Sequence, residues 1–121
     1  MSREFFERKC REHGGVIDRT LCRLEIEGIE WPYDLGISAT TDYKRLVAEI
    51  YLPRTPAGYL SKRGWRIFES KVEEAGLSHS LPIRSWGTYI GIIYADMEDF
   101  DKLVNTLREI GREFKALFGR E

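Results

Sequence analysis

The spacing of apolar residues alternates along the chain between the period of a helix and the period of a strand. Helical spacing predicts helices over residues 2–13 and 61–75, and a third that Asp96 caps. The third helix carries a continuous apolar stripe over about five turns. The stripe comprises Phe100, Leu103, Val104, Leu107, Ile110, Phe114, Leu117 and Phe118. This helix is therefore expected to be a core element.

Alternation of apolar and polar residues predicts four strands between these helices. The first begins at Leu21, the second covers residues 35–39 and the third covers residues 46–52. The fourth covers residues 86–95, and because both of its faces are apolar we expect it to be buried on both sides or nearly so. The order αβββαβα within a single domain, residues 1–121, predicts an α+β fold: a mainly antiparallel four-stranded sheet packed with three helices.

Two acidic residues on the second and third strands suggest a metal-dependent chemistry. With a two-residue turn at Thr41 and Asp42, the hairpin register places Asp34 opposite Glu49 on the outer face. These acids and the element order resemble the PD-(D/E)XK nuclease core, which implies Mg²⁺ bound by the two carboxylates. Tyr51 stands where that motif has a lysine. The alternatives are a nuclease-like fold, degenerate or with a migrated lysine, and two ordinary solvent-facing acids.

Composition and charge narrow the class of protein. The net charge is -1, which disfavours a protein that coats nucleic acid non-specifically. No apolar run approaches the roughly 20 residues of a membrane-spanning helix, and residues 2–13 lack the apolar core of a signal peptide. We therefore expect a cytoplasmic protein, with Cys10 and Cys22 as reduced thiols.

Four side chains of the types that bind zinc are spread along the chain: Cys10, His13, Cys22 and His79. A tetrahedral zinc site uses ligand pairs with short spacings, supplied twice. Cys10 and His13 form one such pair, whereas Cys22 and His79 do not form a second. The sequence therefore predicts no metal and no cofactor, and His79 is expected to be a solvated loop residue.

A basic segment around the start of the second predicted helix is the candidate site for an anion or a partner. Its candidate binding residues are Arg54, Tyr59, Lys62, Arg63 and Arg66. No acid occurs within this segment, and the amides at a helix N-terminus favour anions. The competing interpretation is a solvated basic face.

Short motifs of mainly structural character run through most of the chain. They are Phe5-Phe6, segments 33–38 (YDLGIS) and 45–52 (RLVAEIYL), Phe68, Lys71, Glu73, Glu74, Gly76 and the closing helix. In these motifs the chain resembles an uncharacterised family of domains often found C-terminal to nuclease-like domains in bacteria and archaea. The resemblance implies no established activity.

The sequence as a whole favours a cytosolic, non-enzymatic accessory or interaction domain, in a setting of nucleic-acid metabolism or defence. A protein or a nucleic acid would be its partner, and no cofactor is expected. The alternatives are the nuclease-like fold, which would use Mg²⁺, and a small anion-binding module centred on the basic segment.

Overall fold

The computed structural model describes the backbone of residues 2–118 and the side chains of residues 2–117. Its helices are α1 (Ser2–Glu12), α2 (Lys62–Glu74) and α3 (Phe100–Phe118). Its strands are β1 (Val16–Asp18), β2 (Leu21–Arg23), β3 (Ile37–Ala39), β4 (Arg45–Tyr51), β5 (Ser78–His79), β6 (Ile83–Ser85) and β7 (Thr88–Asp96). Short 3-10 turns at Pro32–Asp34 and Met97–Asp99 precede β3 and α3.

These seven strands form one sheet in the order β1-β2-β3-β4-β7-β5, and β6 also pairs with β7. Every pairing is antiparallel. The predicted α+β class with a mainly antiparallel sheet is confirmed, but the described part of the sheet has seven strands rather than four. The additional strands β1, β5 and β6 contain only two or three residues each. Their alternation does not continue into the neighbouring residues far enough to be recognised.

The helices pack against one face of the sheet. Along β4, the residues on that face are Leu46, Ala48 and Ile50, and all three are completely buried. Phe68 of α2 lies against Gly91 of β7, where an added Cβ would come within 2.8 Å of the ring. Gly91 therefore allows α2 to approach the centre of the sheet closely.

The apolar stripe predicted for the last helix faces the core. Its members Phe100, Leu103, Val104, Leu107, Ile110 and Phe114 are at most 2% exposed. Leu117 is half-buried, and the side chain of Phe118 lies outside the described residues. The helix begins later than predicted: the 3-10 turn Met97–Asp99 follows Asp96, whose side chain makes no cap hydrogen bond.

The predicted ends of α2 are confirmed. Ser61 is the N-cap, and its Oγ accepts a hydrogen bond from the Gly64 amide (3.1 Å). Gly76 follows the helix with a φ of 73°, a conformation that glycine adopts without strain. The Leu77 amide then donates to the Val72 carbonyl (3.1 Å), which closes the last turn.

The hairpin between β3 and β4 has a wider loop than the predicted two-residue turn. Residues 40–44 connect the strands. Thr40 Oγ1 donates to Asp42 Oδ1 (2.6 Å), and the same carboxylate accepts a backbone amide within the loop, so the polar side chains stabilise this conformation. The register consequently shifts by two residues and places Ile37 opposite Ala48. The predicted pairing of strand faces is retained, because a shift of two residues keeps each side chain on its face.

Cys10 and Cys22 form a disulfide, which corrects the prediction of reduced thiols. Their Cα atoms are 5.7 Å apart, and both residues are completely buried. The bond attaches α1 to β2 on the helix-covered face of the sheet, close to Phe6, whose ring lies 5.8 Å from that of Phe100. The spacing of the two cysteines in the sequence does not reveal that they pair, because the pairing depends on how α1 packs against the sheet.

Candidate functional site

The sheet face turned away from the helices carries apolar side chains in rows across neighbouring strands. In one row, Tyr94 of β7 pairs with Val47 of β4, Val47 with Ser38 of β3, and Ser38 with Leu21 of β2. Tyr94 is 43% exposed, and the other three residues are half-buried. The row therefore presents an aromatic and two aliphatic side chains to solvent.

A second row crosses the same face at the other end of β7. Ile90 lies between Tyr51 of β4 and Ile83 of β6, and Ile83 is 44% exposed. Between the two rows, Ile92 pairs with Glu49. We call these nine residues the open sheet face: Leu21, Ser38, Val47, Glu49, Tyr51, Ile83, Ile90, Ile92 and Tyr94.

The open sheet face differs from the usual outer face of an antiparallel sheet, which is polar where it meets water. On the helix-covered side of β7, Gly91, Ile93 and Ala95 are buried. On the opposite side, Ile90 and Ile92 are half-buried and Tyr94 is exposed. The prediction that this strand is buried on both sides is therefore wrong for one face. In the described part of the chain, no helix or sheet packs over the apolar residues of that face.

The tip of the β6–β7 hairpin carries a further exposed apolar side chain. Trp86 and Gly87 form the two-residue turn with φ values of 51° and 76°, the positive values that such hairpin turns require. Trp86 is 96% exposed. Leu81, before β6, is 77% exposed. Exposed apolar residues therefore concentrate along the β5–β6 edge of the sheet as well as on the open sheet face.

The basic segment predicted to bind an anion or a partner surrounds the start of α2. All five predicted residues are exposed: Arg54, Tyr59, Lys62, Arg63 and Arg66. The Arg54 guanidinium donates to the Gly87 carbonyl (2.7 Å), so it contacts the hairpin tip. None of the four cations forms an ion pair with a described acid. Their charges are therefore available to an anionic ligand.

The structure does not pair Asp34 with Glu49 across the sheet. Asp34 lies in the 3-10 turn before β3, with a φ of 54°, and is exposed. Continuing the observed β3–β4 register brings Gly36, not Asp34, beside Glu49. The two carboxylates predicted to share a Mg²⁺ ion are thus not strand partners, because the wider hairpin loop moved the register and the strand begins only at Ile37.

A cluster that the sequence did not suggest lies where α2 passes β5. Glu69, Glu73 and His79 each offer one ligand atom, and these atoms lie within 4.8 Å of one another. His79 belongs to β5, and its side chain is only 13% exposed, so the prediction of a solvated loop histidine is wrong. The signal available in the sequence was the four-residue spacing of the two glutamates, which places both on one helix face.

His13, the other histidine, joins α1 to α3. Its Nε2 lies 2.7 Å from Asp101 Oδ1, and the Lys9 ammonium donates to Asp101 Oδ2 at 2.7 Å. The hydrogen bond from Lys9, followed by that from His13, lowers the pKa of Asp101 below its ordinary value. These contacts engage His13 in a polar bridge between two helices.

Comparisons with known proteins do not assign a family. No protein-family model, curated protein or solved structure matches the chain. Among the described residues, no helix is long and apolar enough to cross a membrane.

Proposed function

We propose that the chain is a non-enzymatic interaction domain, and that a protein partner covers its open sheet face. One observation carries the proposal: apolar and aromatic residues adjoin across β4, β6 and β7 on their outer side, yet no layer of the described chain covers them. They are Val47, Tyr51, Ile83, Ile90, Ile92 and Tyr94. Scattered surface apolar residues are ordinary in proteins, whereas apolar residues that adjoin across several strands are typical of binding surfaces. Trp86, at the turn between β6 and β7, and Leu81, before β6, are two further exposed apolar residues of the segment that borders β7.

Glu49 indicates the chemistry of the partner. It is half-buried at the middle of the face, next to Ile92, and pairs with no described cation. A partner that covers the face must supply a lysine or arginine near Glu49, because an unpaired charge is costly to bury. A symmetric pair of identical faces would bring two such carboxylates together, so a different protein fits better than a second copy.

The edge of the sheet formed by β5 and β6 favours contact through side chains over addition of a strand. The register of β5 on β7 pairs Ser78 with Tyr94, whereas that of β6 pairs Ile83 with Ile90, so the edge contains one extra residue between them. Pro82, which has no amide hydrogen to donate, lies within this bulge. Bulges and prolines are features that prevent a sheet edge from pairing with another chain. The partner is therefore expected to lie on the face of the sheet.

A selection experiment tests the proposal and defines the chemistry of the partner at the same time. A random peptide library displayed on phage is selected on the wild-type protein, and binding of the selected peptides is measured by titration. We expect peptides with aromatic or aliphatic residues and at least one lysine or arginine. Replacing Tyr94→Lys should weaken their binding at least tenfold, because it places a charge on the apolar row.

Tyr33→Lys is the matched control, since Tyr33 is also an exposed tyrosine (77%) but lies in the 3-10 turn before β3. It should leave binding unchanged, and thermal unfolding should confirm that both variants fold. Equal loss of binding in the two variants, or selected peptides that bind independently of Tyr94, would refute the assignment of this face. Glu49→Gln should weaken the binding of peptides that contain lysine or arginine more than the binding of peptides that lack them.

A further inference from the structure

Two carboxylates and an imidazole converge where α2 crosses β5, away from the open sheet face. Glu69 and Glu73 lie one helical turn apart on α2, and His79 lies on β5. Their ligand atoms all lie within 4.8 Å of one another. Residues from two separate elements thus direct nitrogen and oxygen donors to one point.

The imidazole of His79 is held in a fixed orientation by groups outside the cluster. Its Nδ1 donates to the backbone carbonyl of Ser80 (2.7 Å), which leaves Nε2 as the nitrogen with the free lone pair. The rings of Trp65 and Phe68 pack edge-on against it, at centroid distances of 5.5 and 5.6 Å. A backbone carbonyl on one nitrogen is the usual partner that orients a metal-binding histidine.

The distance between donors fits a shared ion better than a direct contact. His79 Nε2 lies 3.7 Å from Glu73 Oε1, which is too long for a hydrogen bond between these groups. Two ligands bound tetrahedrally at the usual zinc–nitrogen and zinc–oxygen lengths lie about 3.3 Å apart. Small side-chain rotations would therefore bring both donors to a common ion.

The charges around the cluster also lack compensation. In the part of the chain that the structure describes, no lysine or arginine forms an ion pair with Glu69 or Glu73. The nearby Lys71 instead faces Glu74 (3.7 Å) and Glu113 (3.9 Å). Two carboxylates four residues apart on a helix repel each other unless a cation lies between them.

We propose that Glu69, Glu73 and His79 bind a divalent transition-metal ion of the Zn²⁺ type, which fastens α2 to the β5 edge. The imidazole nitrogen favours Zn²⁺ or a neighbouring first-row ion over Mg²⁺ and Ca²⁺, which prefer oxygen ligands. Three protein donors leave at least one position to water. The ion would offset the negative charge of the two glutamates. This site is separate from the proposed partner surface and does not depend on it.

Calorimetric titration of the untagged, disulfide-bonded protein with ZnCl₂ tests the proposal. Free thiols are absent from the described residues because Cys10 and Cys22 are bonded, so thiolate binding does not compete. We expect one ion per chain, a higher Tm with Zn²⁺, and a visible absorption spectrum with Co²⁺. Glu69→Gln and Glu73→Gln preserve side-chain size and should each weaken Zn²⁺ binding at least tenfold.

Two control variants separate this site from general surface binding. Glu74→Gln removes an exposed carboxylate next to Glu73, and His13→Gln removes the other histidine; both should leave Zn²⁺ affinity unchanged. His79→Gln should abolish the Co²⁺ spectrum, but because His79 packs against two rings, the glutamate variants decide the outcome if this variant is unfolded. Absence of Zn²⁺ binding, or binding that Glu69→Gln and Glu73→Gln leave intact, overturns the proposal.

Discussion

Cys10 and Cys22 are joined through their Sγ atoms, although one lies on a helix and the other on a strand 12 residues further along the chain. The bond attaches α1 to the β1 side of the sheet, where β1 and β2 are only three residues long. Strands this short contribute few ladder hydrogen bonds, so the covalent link is expected to carry much of the stability of this region.

Removing the disulfide should destabilise the fold. The double substitution Cys10→Ala and Cys22→Ala is expected to lower the free energy of unfolding by about 3 kcal/mol, because a loop of this length no longer restricts the unfolded chain. Chemical denaturation of the oxidised wild type and the variant measures the difference. Adding a reductant should lower the stability of the wild type but not that of the variant. Equal stability in all conditions would contradict a role for the bond.

Replacing a residue of the α3 stripe should be costly. Leu107 is completely buried, so Leu107→Ala should reduce the free energy of unfolding by roughly 2–5 kcal/mol, because apolar burial is lost and a cavity remains. Arg108 is the next residue and is exposed. Arg108→Ala should change stability by less than about 0.5 kcal/mol. Similar losses for the two variants in urea denaturation would show that the helix is rotated from the described orientation.

The bridge between α1 and α3 should make stability depend on acid pH. The pKa of Asp101 is lowered by hydrogen bonds from Lys9 and His13, so its ionised form favours the folded state. This contribution is complete above the ordinary aspartate pKa of about 3.9 and is lost as the pH falls through the lower folded-state pKa. Asp101→Asn should therefore lower Tm at pH 7, and the difference from wild type should shrink below about pH 4. A difference that grows on acidification would contradict this linkage.

The sequence predicted the long elements better than the short ones, although α3 begins after the 3-10 turn Met97–Asp99 and not directly after Asp96. The α3 stripe and the caps of α2 depend on local patterns, and these were confirmed. The position of Ile37 opposite Ala48 depended on hydrogen bonds of Thr40 and Asp42 inside the loop, which a turn length inferred from sequence does not include. The short strands β1, β5 and β6 lack a pattern long enough to detect, whereas the alternation that predicted β2 continues past its end through Leu24 and Ile26, which are buried.

Some features of the candidate sites could likewise be predicted from the sequence, whereas others required the tertiary structure. Exposure of the basic segment follows from its charges, which sequence shows directly. The metal-ligand cluster needed the position of His79 relative to α2, and that position depends on how β5 pairs with β7. The apolar residues of β7 were visible as a pattern on both faces, but the structure was required to show that helices cover only one of them.

Metal-dependent DNA cleavage should be absent. Asp34 and Glu49 are not strand partners, and Tyr51 lacks the ammonium group that the nuclease motif uses. Branched, double-stranded and single-stranded DNA incubated with the protein and Mg²⁺ or Mn²⁺ should remain intact. Cleavage that disappears in both Asp34→Ala and Glu49→Ala would establish the nuclease alternative and reject the interaction domain as a full account.

If the chain binds a polyanion, the contact should be the basic segment at the start of α2. Its cations lack acidic partners in the described structure, and the helix adds the positive end of its dipole. Tyr59, 69% exposed, offers a ring on which a base can stack. We expect single-stranded DNA to bind at low salt, with affinity falling as salt rises. The double substitution Lys62→Ala and Arg63→Ala should lower the affinity. It should also reduce the steepness with which affinity falls with the logarithm of salt concentration, by about 0.7 for each phosphate that the variant no longer neutralises.

The double substitution Arg8→Ala and Arg11→Ala is the matched control for that prediction, because it also removes two exposed positive charges, but from α1. Both arginines already form ion pairs, with Glu12 (3.8 Å) and Glu7 (3.6 Å), so their charges are partly compensated. The control should therefore retain most of the wild-type affinity, as measured by fluorescence anisotropy of labelled DNA. If the two double variants weaken DNA binding equally, the contact lies elsewhere or the binding depends only on the net charge of the protein. No binding by the wild type at low salt would identify the segment as a solvated basic face.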